Sequence, residues 1–206
     1  ISDVVLIQGH EALKKKQLLK LIEDIFFKLL KISVPSIIFL SLVSENLFGF
    51  IFGKNWSQAG ELILILTPYI ILQFCTFPLH STFQILNKQK QGSLFQLLLF
   101  ISVIIGILIG YEKQNVYLSI FLYSTFGSII FIFMFVYLWK EIGGSLTYLF
   151  KNFLKEIFIG IMLNVPIIFY KFEIFVNNSE HFLNFYSFVT ILLIFGNFYR
   201  NRNEFR

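Results

Sequence analysis

The chain has 206 residues, of which 56% are hydrophobic and 14% charged, with a net charge of +5 and a mean hydropathy of +0.75. A soluble domain carries roughly a quarter charged residues, and a surface this poor in charge does not stay dissolved. These figures exclude an ordinary globular enzyme, a disordered segment and a secreted disulfide scaffold; they imply an all-α polytopic membrane protein, a bundle of about six antiparallel transmembrane helices.

The chain opens on Ile1 rather than Met, and Lys14, Lys15, Lys16 and Lys20 interrupt the apolar core that a signal peptide would need. The expectation is a fragment of a longer protein. Within 11–31, Lys20, Asp24, Lys28 and Lys31 recur at three- and four-residue steps, with Leu21, Ile25, Phe26 and Leu29 on the other side. That spacing predicts an amphipathic helix whose basic face could meet anionic headgroups. The plainer reading of 1–31 is a cytoplasmic linker helix running into the first span, with residues 32–206 forming the transmembrane bundle.

A span needs about 20 mostly apolar residues. The candidates are 32–52, 62–86, 93–111, 115–139, 153–170 and 182–199. The fourth carries no charge. The fifth carries Lys155 and Glu156, which an interfacial first turn accommodates by snorkelling, and Pro166 near its end. Short connections make neighbouring helices antiparallel and mutually packed. Assigning the loops to alternate sides places fourteen of the 17 Lys and Arg residues on one side, leaving Lys54, Lys113 and Lys171 on the other. Cytoplasmic loops are enriched in Lys and Arg, so both ends of the chain should be cytoplasmic. The same asymmetry accounts for the positive charge without nucleic acid. The partner it implies is the lipid bilayer.

Chemistry-bearing residues are few. Cys75 is the lone cysteine, and His10, His80 and His181 lack the paired spacing of a zinc site. The apolar spans hold no Asp, no Arg and no pair of carboxylates, so general acid–base catalysis lacks its players. No glycine-rich phosphate loop or nucleophile triad is present. The reading is a protein without catalytic residues, metal or cofactor.

The second span is the unusual one, holding Pro68 and Pro78 together with Gln73, Thr76, His80, Gln84 and Asn87. At 100° per residue the five polar groups fall within about 80° of one helix face. Polar groups in a bilayer usually face a bundle interior or a water-filled cavity. One reading is a substrate-cavity wall of neutral hydrogen-bonding groups; the other is hydrogen bonding to a neighbouring helix. In the third span, Ser102, Gly106 and Gly110 recur every four residues and form a candidate helix-packing face.

The stretch from Leu47 to Gly60, reading LFGFIFGKNWSQAG, is similar to the FG-x-x-W-x-x-A outer loop of bacterial polysaccharide flippases of the multidrug/oligosaccharidyl-lipid/polysaccharide exporter superfamily. Pro68, Phe77-Pro78-Leu79 and the turn Asn87-Lys88-Gln89-Lys90 follow the same habit, and the basic linker before Ser33-Val34-Pro35 resembles the helix ahead of one of their C-terminal-half spans. The resemblance covers roughly 10–110. It implies the C-terminal part of a two-bundle transporter of the inner (cytoplasmic) membrane, whose N-terminal half lies elsewhere in the same protein. Its implied substrate is a polyprenyl-linked oligosaccharide bound for O-antigen, lipopolysaccharide or capsule. Two other functions stay open: an integral-membrane polysaccharide polymerase or glycosyltransferase, and an ion-coupled exporter of the same superfamily, expected to carry an intramembrane carboxylate.

Overall fold

The computed structural model describes residues 2–14, 16–169, 171 and 183–200. Among these residues every regular element is helical. The elements are α1 (Ser2–Lys14), α2 (Leu18–Phe52), a 3₁₀ turn (Lys54–Trp56), α3 (Ser57–Thr76), a 3₁₀ segment (Phe77–Ser81), α4 (Thr82–Ile85), α5 (Gln89–Glu112), α6 (Val116–Glu141), α7 (Leu146–Leu163) and α8 (Leu183–Arg200). Four stretches are long and apolar enough to cross a membrane: Leu18–Phe52, Lys54–Ile85, Gln89–Glu112 and Val116–Glu141. They cover the first four expected spans except residues 86 and 115, and the fold is an all-α polytopic membrane bundle. Large apolar side chains such as Phe50, Phe100, Phe133 and Phe195 stand exposed, as hydrocarbon contact requires.

The structure corrects the sequence reading in three places. The single helix expected over 11–31 is two, because α1 stops at Lys14 and α2 starts at Leu18, from where it runs unbroken into the first span. The fifth span was expected to begin near 153, with Glu156 in its first turn. Instead α7 starts at Leu146, so Glu156 lies ten residues in and is buried. α7 also ends at Leu163, ahead of Asn164, and helix resumes over 165–169. Pro166 supplies the reason, since it lacks the N–H that a continuous helix would need there. The apolar part of α8 is Tyr186–Tyr199, shorter than a full span. Residue 182, where the sixth span was placed to begin, lies outside the described residues.

Four helix ends share one closure. After α1, α4, α5 and α6 the backbone closes with a paired 6→1 and 5→2 hydrogen bond: Gln17→Ala12 with Lys16→Leu13, Lys88→Phe83 with Asn87→Gln84, Asn115→Gly110 with Gln114→Tyr111, and Gly144→Trp139 with Gly143→Lys140. This closure puts one residue in the left-handed region, here Lys16, Asn87, Gln114 and Gly143. Only the last is the glycine that such a position favours. Gln114→Gly is therefore expected to stabilise the purified protein by about 1 kcal/mol, read as a raised thermal midpoint. A lowered midpoint would show that strain at this turn is not what limits it.

The chain divides into two compact units, Ile1–Leu29 with Ile65–Asn152, and Leu30–Leu64 with Phe153–Arg206. In the first, α5 and α6 form an antiparallel hairpin. Gly92, Ser102, Gly106 and Gly110 are the buried residues of α5, and a Cβ on Gly110 would overlap Ser119 of α6. The Ser119 hydroxyl donates to the Gly106 carbonyl at 3.1 Å, while Ser124 Oγ donates to the Ile65 carbonyl at 2.7 Å and ties α6 to α3. At the other end of α6, Phe135 stacks on Phe26 at 3.9 Å, and the buried Trp139 donates from its indole nitrogen to the Ser145 carbonyl.

In the second unit, α2, the Lys54–Trp56 turn and the start of α3 make a tight hairpin, and this is where the LFGFIFGKNWSQAG stretch lies. Gly53 ends α2 at φ 93°. Phe48, Phe52 and Trp56 form a ladder with centroids 5.5 and 5.9 Å apart. A Cβ on Gly60 would overlap the backbone of Ser44 and Glu45, and Ser44 Oγ donates to the Gly60 carbonyl at 2.6 Å. Phe48, Phe52, Trp56 and Gly60 of the motif are thus accounted for by contacts within this hairpin.

The charge asymmetry yields a test of sides. Asn55→Cys and Lys113→Cys are expected to react with a membrane-impermeant thiol reagent in intact cells, and Gln89→Cys to stay silent. Cys75 is fully buried and gives no background. Labelling of Gln89→Cys would reverse the assignment.

Candidate functional site

The second span breaks where its sequence changes from aliphatic to Thr76-Phe77-Pro78-Leu79-His80-Ser81. Pro78 has no N–H to give to Phe74, and the chain tightens into a 3₁₀ segment over Phe77–Ser81 before one further α turn, Thr82–Ile85. A 3₁₀ helix turns 120° per residue instead of 100°, so five residues add roughly 100° of twist. A stripe drawn at constant pitch cannot survive that.

The structure accordingly separates the five polar residues expected to line one wall. Thr76 is fully buried, and its hydroxyl donates to the Leu72 carbonyl of its own helix at 2.7 Å. Gln73 is half-buried and borders a groove of about 380 Å³ with Leu29, Ile70, Phe74, Phe77 and Pro78. His80 faces α5, where its Nε2 lies 2.6 Å from the Gln96 amide nitrogen; the amide donates when the ring keeps its proton on Nδ1. Gln84 is exposed. Asn87 is exposed too, and serves as the left-handed residue that ends α4. Of the five, then, Gln73 borders the groove, His80 makes a helix–helix contact, and Thr76 and Asn87 serve the backbone.

Two groups at the break were not singled out from sequence. Gln96 looks like an ordinary polar residue near the start of the third span, and only its reach to His80 gives it a role. Thr82 is fully buried, and its Oγ1 has no hydrogen-bond partner. It follows the 3₁₀ segment directly, leaving an uncommitted hydroxyl beside the interruption.

α1 covers this region. Val5 is fully buried, and a Cβ on Gly9 would overlap the Ile85 side chain. Beside α1, Gln8, Glu11, Ala12, Gln17, Lys20, Leu21 and Asp24 line a polar recess of about 440 Å³. After α4, Lys88 pairs with Glu141 at 2.5 Å and lies 5.5 Å over the Tyr137 ring, fastening the α4–α5 turn to the end of α6. The Glu141 hydrogen bond pushes the Lys88 ammonium above the usual lysine range. The pair is exposed and contributes geometry more than stability. Among the described residues no three His, Cys, Asp or Glu side chains gather as metal ligands. Ser102 Oγ donates within its own helix to the Leu99 carbonyl at 2.7 Å.

Comparison with protein families, with curated proteins and with solved structures finds no match.

Proposed function

We propose that this chain belongs to a membrane transporter that moves lipid-linked oligosaccharide units across the bacterial cytoplasmic membrane for surface polysaccharide assembly. The observation that carries this reading is the interrupted second span. Discontinuous helices recur where transporters handle substrate, because irregular backbone inside a bilayer is tolerated only against protein or a cavity. Here the interruption has an apolar groove on one side, bordered by Gln73, and an unpartnered hydroxyl, Thr82, next to it. A lipid-linked saccharide needs hydrocarbon contact for its tail, which the groove offers, and neutral hydrogen-bonding groups for its hydroxyls, of which Gln73 borders the groove. The likeness of LFGFIFGKNWSQAG to the flippase outer loop adds to this. In that reading the second bundle and the cationic groups for a diphosphate belong to the N-terminal half of the same protein.

The test is Pro78→Ala in the whole protein, expressed in cells that make a surface polysaccharide. An alanine N–H lets the α3 hydrogen-bond ladder continue through the break. Membrane abundance should stay near normal while surface polysaccharide falls by about tenfold, the effect of ~1.4 kcal/mol on a conformational equilibrium. Lipid-linked precursor should accumulate on the cytoplasmic side. Unchanged export per molecule would remove the break from the transport path.

A further inference from the structure

The α2–α3 hairpin ends in aromatic rings that its internal contacts leave open on one side. Leu18–Phe52 and Lys54–Ile85 are each long and apolar enough to cross a membrane, and only Gly53 separates them. A reversal this tight between two crossing helices lies where hydrocarbon meets water. Polarity changes abruptly at the same place: Phe50, Ile51 and Phe52 precede Gly53, and the exposed Lys54, Asn55 and Gln58 follow it.

Phe50, Ile51, Phe52 and Trp56 are each more than half exposed. At 3.6 residues per turn the first three cover about 200° of the helix circumference, so the last turn of α2 presents apolar side chains around most of its girth. Water solvates such a turn poorly, and lipid solvates it well. Phe48 and Phe52 are one turn apart, about 6 Å along the axis at 1.5 Å per residue. Trp56 continues the ladder past the end of the helix. The interfacial layer on each side of a bilayer is about 5–8 Å deep, close to the length of that ladder.

Trp56 is the rung nearest the polar turn, and an indole joins a broad apolar ring to a single N–H donor. That combination suits a layer where acyl chains end and ester and phosphate oxygens begin. The hairpin fixes the ladder's height on the two helices, because Gly60 packs against the backbone of Ser44 and Glu45 and the Ser44 hydroxyl donates to the Gly60 carbonyl. We infer that Phe52 and Trp56 form an interfacial anchor whose partner is the phospholipid headgroup layer, with Lys54 and Asn55 carried beyond it into water. This anchoring holds whatever the protein transports.

The test uses the whole protein in phosphatidylcholine vesicles whose acyl chains carry bromine, a contact quencher of indole, either near the headgroup or near the terminal methyl. Emission that wild type has and Trp56→Phe lacks belongs to residue 56, while the buried Trp139 is common to both. That difference emission should be quenched several-fold more by shallow bromine than by deep bromine. If Trp56→Phe does not fold, Phe52→Trp adds a reporter on the neighbouring rung, and its added emission should show the same shallow preference. Equal or stronger quenching by deep bromine would put the rings in the hydrocarbon core and overturn the anchor. Quenching by aqueous iodide with none from either lipid would overturn it too, marking the ladder as a platform that faces water. So would no quenching by any of the three, which would mean that protein covers the rings.

Discussion

Gly60→Leu is expected to remove most of the protein from the membrane. The α-hydrogen of Gly60 faces the backbone of Ser44 and Glu45, and any Cβ there overlaps main-chain atoms, which cannot swing aside as a side chain can. α3 would have to move away from α2, and the 2.6 Å hydrogen bond from Ser44 to the Gly60 carbonyl would be lost. Overpacking alone costs about 1–3 kcal/mol and occasionally more, while the Ser44 hydroxyl keeps the Ser41 carbonyl at 2.7 Å. Against a typical total stability of about 5–15 kcal/mol that is a large fraction. Fluorescence-detected gel filtration of a tagged protein should show a several-fold smaller folded peak. Gly196→Ala is the control: a Cβ there meets nothing within 4 Å, and alanine is a better helix former than glycine by about 1 kcal/mol. A Gly60→Leu peak equal to wild type would mean that the α2–α3 hairpin is not packed as described.

Asn164→Leu should also be strongly destabilising, through a different cause. The Asn164 amide donates to the Pro35 carbonyl at 3.0 Å and to the Gly160 carbonyl at 2.8 Å, so one side chain joins two helices at a point where α7 has stopped and α2 carries a proline. Leucine fills a similar volume but leaves both carbonyls without that donor. Loss of a buried partner costs about 1–3 kcal/mol in general, although hydrogen bonds between membrane helices have averaged about 0.6 kcal/mol. Two bonds at a helix break, where the backbone is already short of partners, favour the upper range. The thermal midpoint in detergent should fall by several degrees, and Asn164→Gln should recover part of the loss. A midpoint unmoved by Asn164→Leu would show that the break is held by packing alone.

Hydropathy and charge made the fold class and the first four spans legible, because a bilayer imposes a length and an apolar composition that few other environments demand. What they missed was local. α7 begins at Leu146, ahead of the span start expected at 153, and within it Lys151 and Lys155 are exposed while Glu156 is buried. The stop at Lys16 carries no glycine to announce it, although the backbone closes there as it does after Asn87 and Gly143. The polar stripe was drawn at fixed pitch, which assumes an unbroken helix, and Pro78 brings a change of pitch in the middle of it. Pro78 was visible in the sequence; the size of the rotation it accompanies was not. The partner of His80, Gln96, sits sixteen residues away on another helix, and no periodicity within the second span could have found it. Gly60 shows the opposite case, a residue inside a legible motif whose physical role became clear only when α2 was seen against it.

The central claim is that the whole protein carries a lipid-linked saccharide across the bilayer, and a vesicle assay tests it most directly. Polyprenyl diphosphate-linked saccharide is reconstituted on both leaflets, with or without the full-length protein, and an added glycosidase reports the fraction that reaches the outer face. Protein-free vesicles should expose about half of the pool, the share on one of two leaflets. Vesicles holding the wild-type protein should expose nearly all of it, and those holding Pro78→Ala should remain close to half over the same time. A wild-type protein that leaves half of the saccharide protected would contradict the account.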